Sequence, residues 1–224
     1  MEHSIKEIIQ FSESHIRDIS KIIPAKIIDT SNDKNKIPFK IKSLEYVLAL
    51  RIVDLSKVVF LLFNRKKHLA VIILVRSIME TGSIMVWLSK QVENFTDRSS
   101  GAELNKFLMK YLFGSKTFAK ENPINPYNIL KAIDIVDKEV KGFRNVYDIL
   151  SEYLHPNYSG TMNSYSKQDV ESGILNLFPK RKISEEIYIG PFGSIIGLSL
   201  NAMQIIDEHY DRINIILTNN SSKK

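Results

Sequence analysis

Hydrophobic residues are densest between Leu69 and Leu88, where the sequence reads LAVIILVRSIMETGSIMVWL. They occupy nearly every side of a helix drawn through this stretch, which is typical of a membrane span or of the buried centre of a helical bundle. Arg76 and Glu80 favour the bundle, because an isolated charge in lipid costs several kcal/mol whereas a protein interior can pair two charges four residues apart. We therefore predict a buried central helix over residues 67–93 and no membrane span.

Apolar residues at helical spacing predict six further helices. These are expected at about residues 3–23, 41–63, 102–112, 127–140, 144–155 and 192–217. Pro24 and Pro156 mark two of the helix ends, and the turn-forming residues from Asp29 to Pro38 predict a loop. The short polar break at Asn64 to Lys67 makes the 41–63 helix and the central helix antiparallel neighbours.

Between Asn157 and Gly190 the pattern is no longer helical. Two short apolar runs, at 174–177 and at 187–189, are compatible with the two strands of a small hairpin or with extended segments that cover the bundle. We prefer extended covering segments with slight β content. A chain of 224 residues is long enough for one sizeable core. The expected fold is thus all-α, a single domain over residues 1–224 built as a bundle of about six or seven helices. Its core is expected in residues 41–160 and 192–217. Residues 157–191 are expected to cover the bundle irregularly, with an extended or β-hairpin excursion near 168–190.

Charge and composition narrow the function classes. The chain has 31 Lys and Arg against 25 Asp and Glu, a net charge of +6, but both signs are spread along the sequence. A mixed solvated surface is favoured over a dedicated nucleic-acid face, although RNA stays open as a partner. The absence of cysteine excludes disulfides, thiolate metal sites and cysteine nucleophiles, and it fits the reducing cytoplasm, which is the location we expect. The charged N-terminus does not have the pattern of a signal peptide.

Polar residues on the central helix share one narrow stripe. Arg76, Glu80, Ser83 and Trp87 follow the spacing i, i+4, i+7, i+11, so their side chains converge on one side. Because a lone buried charge is costly, we predict that Arg76 and Glu80 pair or jointly bind one group.

A second stripe with the same spacing lies on the 144–155 helix. It consists of Arg144, Asp148, Ser151 and His155, an arrangement that an ordinary amphipathic helix also produces. The opposite, apolar side of this helix is formed by Val146, Tyr147, Leu150, Tyr153 and Leu154. A histidine at a helix C-terminus is stabilised as a cation by the helix dipole and is a candidate acid-base group. We predict that the tip from His155 to Asn157 and the Arg76/Glu80 stripe face one shared polar cavity.

Metal chemistry finds little support in the sequence. Glu152 and His155 form an E-x-x-H pair, half of a di-iron ligand set, but the sequence has no second pair. A mononuclear metal held by His155, Glu80 and another carboxylate is the other alternative. Phosphate-binding loops, nucleophile elbows and zinc spacings are absent from the sequence, and we expect neither metal nor cofactor.

Metal-free RNA cleavage needs only a histidine to move a proton and an arginine to neutralise the phosphorane. The segments VRSIMET on the central helix and YDILSEYLHPN at a later helix end resemble HEPN-like bacterial proteins over about residues 41–160. HEPN ribonucleases are dimeric helical bundles with the signature Arg-x4-6-His. Arg144-Asn145 matches the opening of that signature, but residues 149–151 are Ile, Leu and Ser, and His155 lies about 16 Å along the helix from Arg144.

The resemblance implies a dimeric ribonuclease of a bacterial defence or toxin system. In that interpretation Arg76 binds the phosphate, Glu80 orients Arg76, and His155 carries the proton with Asn157 beside it. The candidate substrate-binding residues are Tyr153, Arg144 and Ser83. The alternative is a non-enzymatic helical module that binds a protein partner or oligomerises, with Arg76 and Glu80 as a structural ion pair.

Overall fold

A computed structural model describes residues 4–29, 36–96, 98–115, 124–125, 127–177 and 183–221. The described residues form eight α-helices and one two-stranded antiparallel sheet, which confirms the predicted all-α fold with a small hairpin. In chain order the elements are α1 (Ile5–Ile22), α2 (Ile37–Asn64), α3 (His68–Glu93), α4 (Gly101–Phe113), α5 (Ile129–Glu139), α6 (Phe143–Leu154), α7 (Met162–Tyr165), β1 (Ser166–Asp169), β2 (Ile174–Leu177) and α8 (Glu186–Ser221).

The first two helices begin in ways that local chemistry explains. The Ser4 hydroxyl accepts a hydrogen bond from the Glu7 backbone N–H, and the Glu7 carboxylate accepts one from the Ser4 backbone N–H, so a capping box starts α1. Pro38 lies in the first turn of α2, where its missing N–H would have had no helical partner. The loop predicted to reach Pro38 is therefore too long, and α2 begins four residues earlier than predicted.

The predicted central helix is α3, against which α2, α5, α6 and α8 all pack. Ile72 and Ile78 are fully buried and Ile84 is partly buried, so the prediction that this helix lies inside the bundle is confirmed. One side of α3 nevertheless faces solvent, as the 42% exposure of Ile73 shows.

Among the described residues, α3 and the segment Glu186–Asn219 of α8 are each long and apolar enough to cross a membrane. Length and composition alone are weak evidence for a span, because a core helix has the same properties. In α3, 56% of the most apolar window is buried inside the protein, and in α8 the share is 50%.

The hairpin and the start of α8 differ from the prediction. The strand β2 forms at the first predicted apolar run, but it pairs with β1, with Ser166 opposite Leu177 and Asp169 opposite Ile174. The second run, 187–189, belongs instead to the first turns of α8. Burial explains this difference, since Tyr188 and Ile189 are fully buried in the core, whereas both strands are largely exposed.

An ionic cluster built around a buried glutamate ties α2 to α8. The Lys42 ammonium lies 2.9 Å from Glu45 Oε2, contacts the Asp207 carboxylate, and stands over the rings of Tyr46 and Tyr210. The Glu45 side chain is completely buried, and this burial raises its pKa to about 7 against the opposing effect of the Lys42 charge. Glu45 is thus a carboxyl group that the fold holds in an unfavourable environment when it is ionised.

Candidate functional site

Arg76 and Glu80 form an ion pair on α3. Arg76 Nη1 lies 3.1 Å from Glu80 Oε1, one helical turn away, and the two side chains are 21% and 27% exposed. The predicted pairing is confirmed. The pair lies at the open side of α3 rather than in the sealed core, so solvent reaches both charges.

Helix α6 supplies the other partners of this ion pair. Arg76 Nε donates a hydrogen bond to Ser151 Oγ at 2.8 Å, and Nη2 donates one to the Tyr147 hydroxyl at 2.7 Å. The Tyr147 hydroxyl in turn donates to Glu80 Oε1 at 2.8 Å, and its ring lies under the guanidinium, 4.6 Å from ring centroid to Cζ. We call these four side chains, Arg76, Glu80, Tyr147 and Ser151, the Arg76 network.

Matching spacing on the two helices explains why the network closes. Arg76 and Glu80 are four residues apart on α3, and Tyr147 and Ser151 are four residues apart on α6, so each pair lies on one face of its helix. Arg76 contacts Ser151 and Glu80 contacts Tyr147, so the residue order of one helix opposes that of the other. The two polar faces therefore meet over one turn of each helix.

The environment makes Tyr147 a neutral hydrogen-bond donor. Burial, followed by the hydrogen bond to the Glu80 carboxylate, raises the pKa of Tyr147 to about 12, although the Arg76 charge opposes this shift. A phenol with this pKa keeps its proton throughout the physiological range. Tyr147 is thus suited to orienting Arg76 and Glu80 and unsuited to removing a proton from a substrate.

His155 lies just beyond the Arg76 network. It is the first residue after α6, its backbone is extended (φ −85°, ψ 146°), and its side chain is exposed. Within the described ranges its ring has no hydrogen bond or ion pair. Ser151, one turn earlier on the same stripe, is the residue that reaches Arg76. The two polar stripes thus meet through Ser151, while the predicted cavity shared by the His155–Asn157 tip and the Arg76/Glu80 stripe stays a prediction.

Asn157 shapes the turn that follows His155. Its amide Nδ2 donates to Glu152 Oε2 at 2.6 Å, and its Oδ1 accepts from the Gly160 backbone N–H at 3.1 Å. Gly160 is required here, because a Cβ at this position would lie 2.0 Å from the His155 carbonyl oxygen. The turn thus holds the backbone of His155 close to that of Gly160.

The three candidate substrate-binding residues lie outside the Arg76 network. Arg144 Nη1 donates to Asp134 Oδ1 at 2.6 Å and its Nε donates to Asp148 Oδ2 at 3.0 Å, so acidic side chains hold this guanidinium. Ser83 is fully buried, and its hydroxyl has no hydrogen-bond partner among the described residues. Tyr153 is partly buried against the core. Their role in binding a substrate stays a prediction.

Trp87, the last member of the predicted α3 stripe, belongs to an aromatic cluster. Its ring packs edge-to-face against Phe107, Tyr111 and Tyr127, with centroid distances of 5.1, 5.9 and 5.0 Å. These contacts are of the kind that stabilises a core.

Two residues that make polar contacts with α3 were not predicted from the sequence. Tyr147 was assigned to the apolar side of α6, although its spacing of four residues from Ser151 matches that of Arg76 and Glu80. Arg51 of α2 was not singled out either, yet its Nη2 donates a hydrogen bond to Ser77 Oγ of α3 at 2.9 Å. Ser77 lies at the open side of α3, on the flank away from α6. No sequence motif marks Arg51, because its contact depends on how α2 and α3 pack.

In the part of the chain that the structure describes, no three His, Asp or Glu side chains come together as a metal site. Comparisons of the chain with protein-family profiles, with curated proteins and with solved structures found no match.

Proposed function

We propose that this protein is a metal-independent endoribonuclease of HEPN-like type, in which Arg76 binds the scissile phosphate and His155 moves a proton. One observation carries the proposal. Three side chains fix the orientation of the Arg76 guanidinium, yet the side chain stays 21% exposed. A guanidinium has five N–H donors, of which the network uses three, so N–H groups remain for phosphate oxygens.

The chemistry follows from the 2′-hydroxyl of RNA. The 2′ oxygen attacks phosphorus as His155 accepts the hydroxyl proton, and the bond from phosphorus to the 5′ oxygen breaks as that oxygen takes up a proton from water. The products are a 2′,3′-cyclic phosphate and a 5′-hydroxyl. Arg76 neutralises the charge that builds up on the phosphorane, and Glu80 and Tyr147 keep Arg76 in place. Asn157 acts indirectly by shaping the turn after His155.

The biological setting that we propose is a bacterial defence or toxin system acting on RNA in the cytoplasm. The support is the HEPN-like resemblance of the central helix and of the α6 end, together with the net charge of +6.

The test uses the purified full chain with two matched RNA oligonucleotides, one all-ribose and one 2′-deoxy at every position, each with and without EDTA. We expect cleavage of the all-ribose strand in EDTA, cyclic phosphate ends, and no cleavage of the deoxy strand. His155→Ala should lower the rate by about 100-fold or more, while His209→Ala on α8 should not. Cleavage that needs an added metal ion, or an unchanged rate in His155→Ala, would contradict the proposal.

A second candidate, a non-enzymatic helical module, is favoured by the closure of the network. The Tyr147 hydroxyl bridges Arg76 and Glu80, so the four side chains satisfy one another and hold α6 on α3. Exposed Asp148 and Glu152 add negative charge to α6, which disfavours a phosphate there. If this function is correct, no RNA is cut, and the network residues contribute only to stability.

A further inference from the structure

Helix α2 carries a row of exposed apolar side chains on its outer face. Val47, Leu50, Val58 and Leu61 are between 38% and 52% exposed, and Asp54 is exposed at the middle of the row. At 100° per residue all five fall within an arc of about 80°, and the row is about 21 Å long. We call these five residues the α2 stripe.

The stripe is not needed for the fold of its own chain. The opposite face of α2 already supplies the core with Leu44, Ile52 and Val59, which are at most 2% exposed. A contiguous row of exposed apolar side chains is typical of a surface that another protein covers.

The spacing of the stripe is symmetric about Asp54. Val47 and Leu61 lie seven residues before and after it, and Leu50 and Val58 lie four residues before and after it. When two copies of such a helix pack antiparallel about a two-fold axis through Asp54, Val47 faces Leu61 of the other copy, and Leu50 faces Val58. The stripe is thus complementary to itself, as an isologous interface requires.

The charges beside the stripe fit the same arrangement. Arg51 and Lys57 lie three residues before and after Asp54, and all three are exposed. In the antiparallel pair each Asp54 comes within about 4.5 Å, measured along the helix axis, of Lys57 and Arg51 of the other copy. Within the described ranges neither Asp54 nor Lys57 has an ion pair in its own chain. The two aspartates on the axis are therefore flanked by four cations.

We propose that the α2 stripe is the surface on which a second copy of this chain docks, antiparallel and about a two-fold axis at Asp54. The inference rests on the spacing and charge of α2 and does not depend on ribonuclease activity. His155→Ala should accordingly leave the dimer intact whether or not it abolishes cleavage.

The first test is sedimentation equilibrium of the full chain. We expect the wild type to dimerise at micromolar concentration, and Leu50→Glu with Leu61→Glu to raise the dimer dissociation constant by tenfold or more. Ile215→Glu is the matched control, because Ile215 is 62% exposed on α8, outside the stripe. Circular dichroism and thermal unfolding of each variant check that a loss of dimer is not a loss of fold.

The second test addresses register. Asp54→Lys places only like charges at the axis and should weaken the dimer, whereas adding Lys57→Asp to it should restore association. Because the chain has no cysteine, Asp54→Cys can be oxidised without a background and should give a covalent dimer, unlike Ile215→Cys.

A wild type that stays monomeric would overturn the proposal, as would a dimer that survives both glutamate substitutions. A monomer that binds anionic lipid vesicles through Leu50 and Leu61 would also overturn it, because the occupant of the stripe would then be a membrane surface.

Discussion

Replacing Glu45 by glutamine should make the protein increasingly stable relative to the wild type as the pH rises from 5 to 8. The carboxyl group has an ordinary pKa of 4.5, and burial raises it to about 7 in the folded protein. The folded state thus binds the proton more tightly than the unfolded state. The contribution of Glu45 to stability is fully present below pH 4.5 and is lost as the pH rises through 7.

The size of the effect follows from this difference in pKa. One pKa unit corresponds to about 1.36 kcal/mol, so the wild type should lose about 2.5 kcal/mol between pH 5 and pH 8 through this group alone. The side-chain amide in Glu45→Gln has no proton to lose over this range, so the stability of the variant relative to the wild type should rise by that amount. For a chain of this length this equals about 5 to 10 °C in Tm.

Urea unfolding at several pH values between 5 and 8.5 measures the difference directly. Glu208→Gln on α8 is the matched control, since Glu208 is exposed and should behave as the wild type at every pH. If the difference between the wild type and Glu45→Gln is the same at pH 5 and pH 8, burial does not destabilise the ionised Glu45, and the reasoning is refuted. A loss of stability in Glu45→Gln that grows with pH would show that the bond to Lys42 outweighs desolvation.

Three further predictions concern the α3–α6 contact and the turn after α6. Arg76→Ala, Glu80→Ala and the double variant should be non-additive by about 1 kcal/mol in urea unfolding, and simple additivity would show that the pair is uncoupled. Tyr147→Phe removes a hydroxyl bonded to both charges but keeps the ring, so the free energy of unfolding should fall by about 1 to 3 kcal/mol; an unchanged value would mean that water replaces the hydroxyl. Gly160→Ala should lower Tm by several degrees, because its Cβ has no space, and an unchanged Tm would show that the turn rearranges freely.

Much of the fold could be predicted from the sequence because the information lies in local spacing. The apolar density of α3, the spacing of Arg76 and Glu80, and the break at Asn64 to Lys67 all act within a few turns of helix. The central helix, the ion pair and the packing of α2 on α3 were accordingly predicted correctly.

The errors arise where tertiary contacts override local pattern. Ile187, Tyr188 and Ile189 have the composition of a strand, yet α8 continues through them because the core buries Tyr188 and Ile189. Glu45 could not be singled out for the same reason, since a glutamate on an amphipathic helix is normally exposed. Its burial depends on how the other helices pack on α2.

The part of the site that escaped prediction shows how a side chain on the apolar side of a helix can also take part in a polar network. Tyr147 was grouped with the apolar side of α6, and in the structure its ring does lie in the hydrophobic core, where it also packs against the Arg76 guanidinium. Its hydroxyl bonds to both charges of the ion pair. An amphipathic side chain can therefore satisfy both the core and the polar stripe. Tyr147 holds Arg76 in one orientation for either candidate function, so the choice between them depends on His155, which lies outside the network.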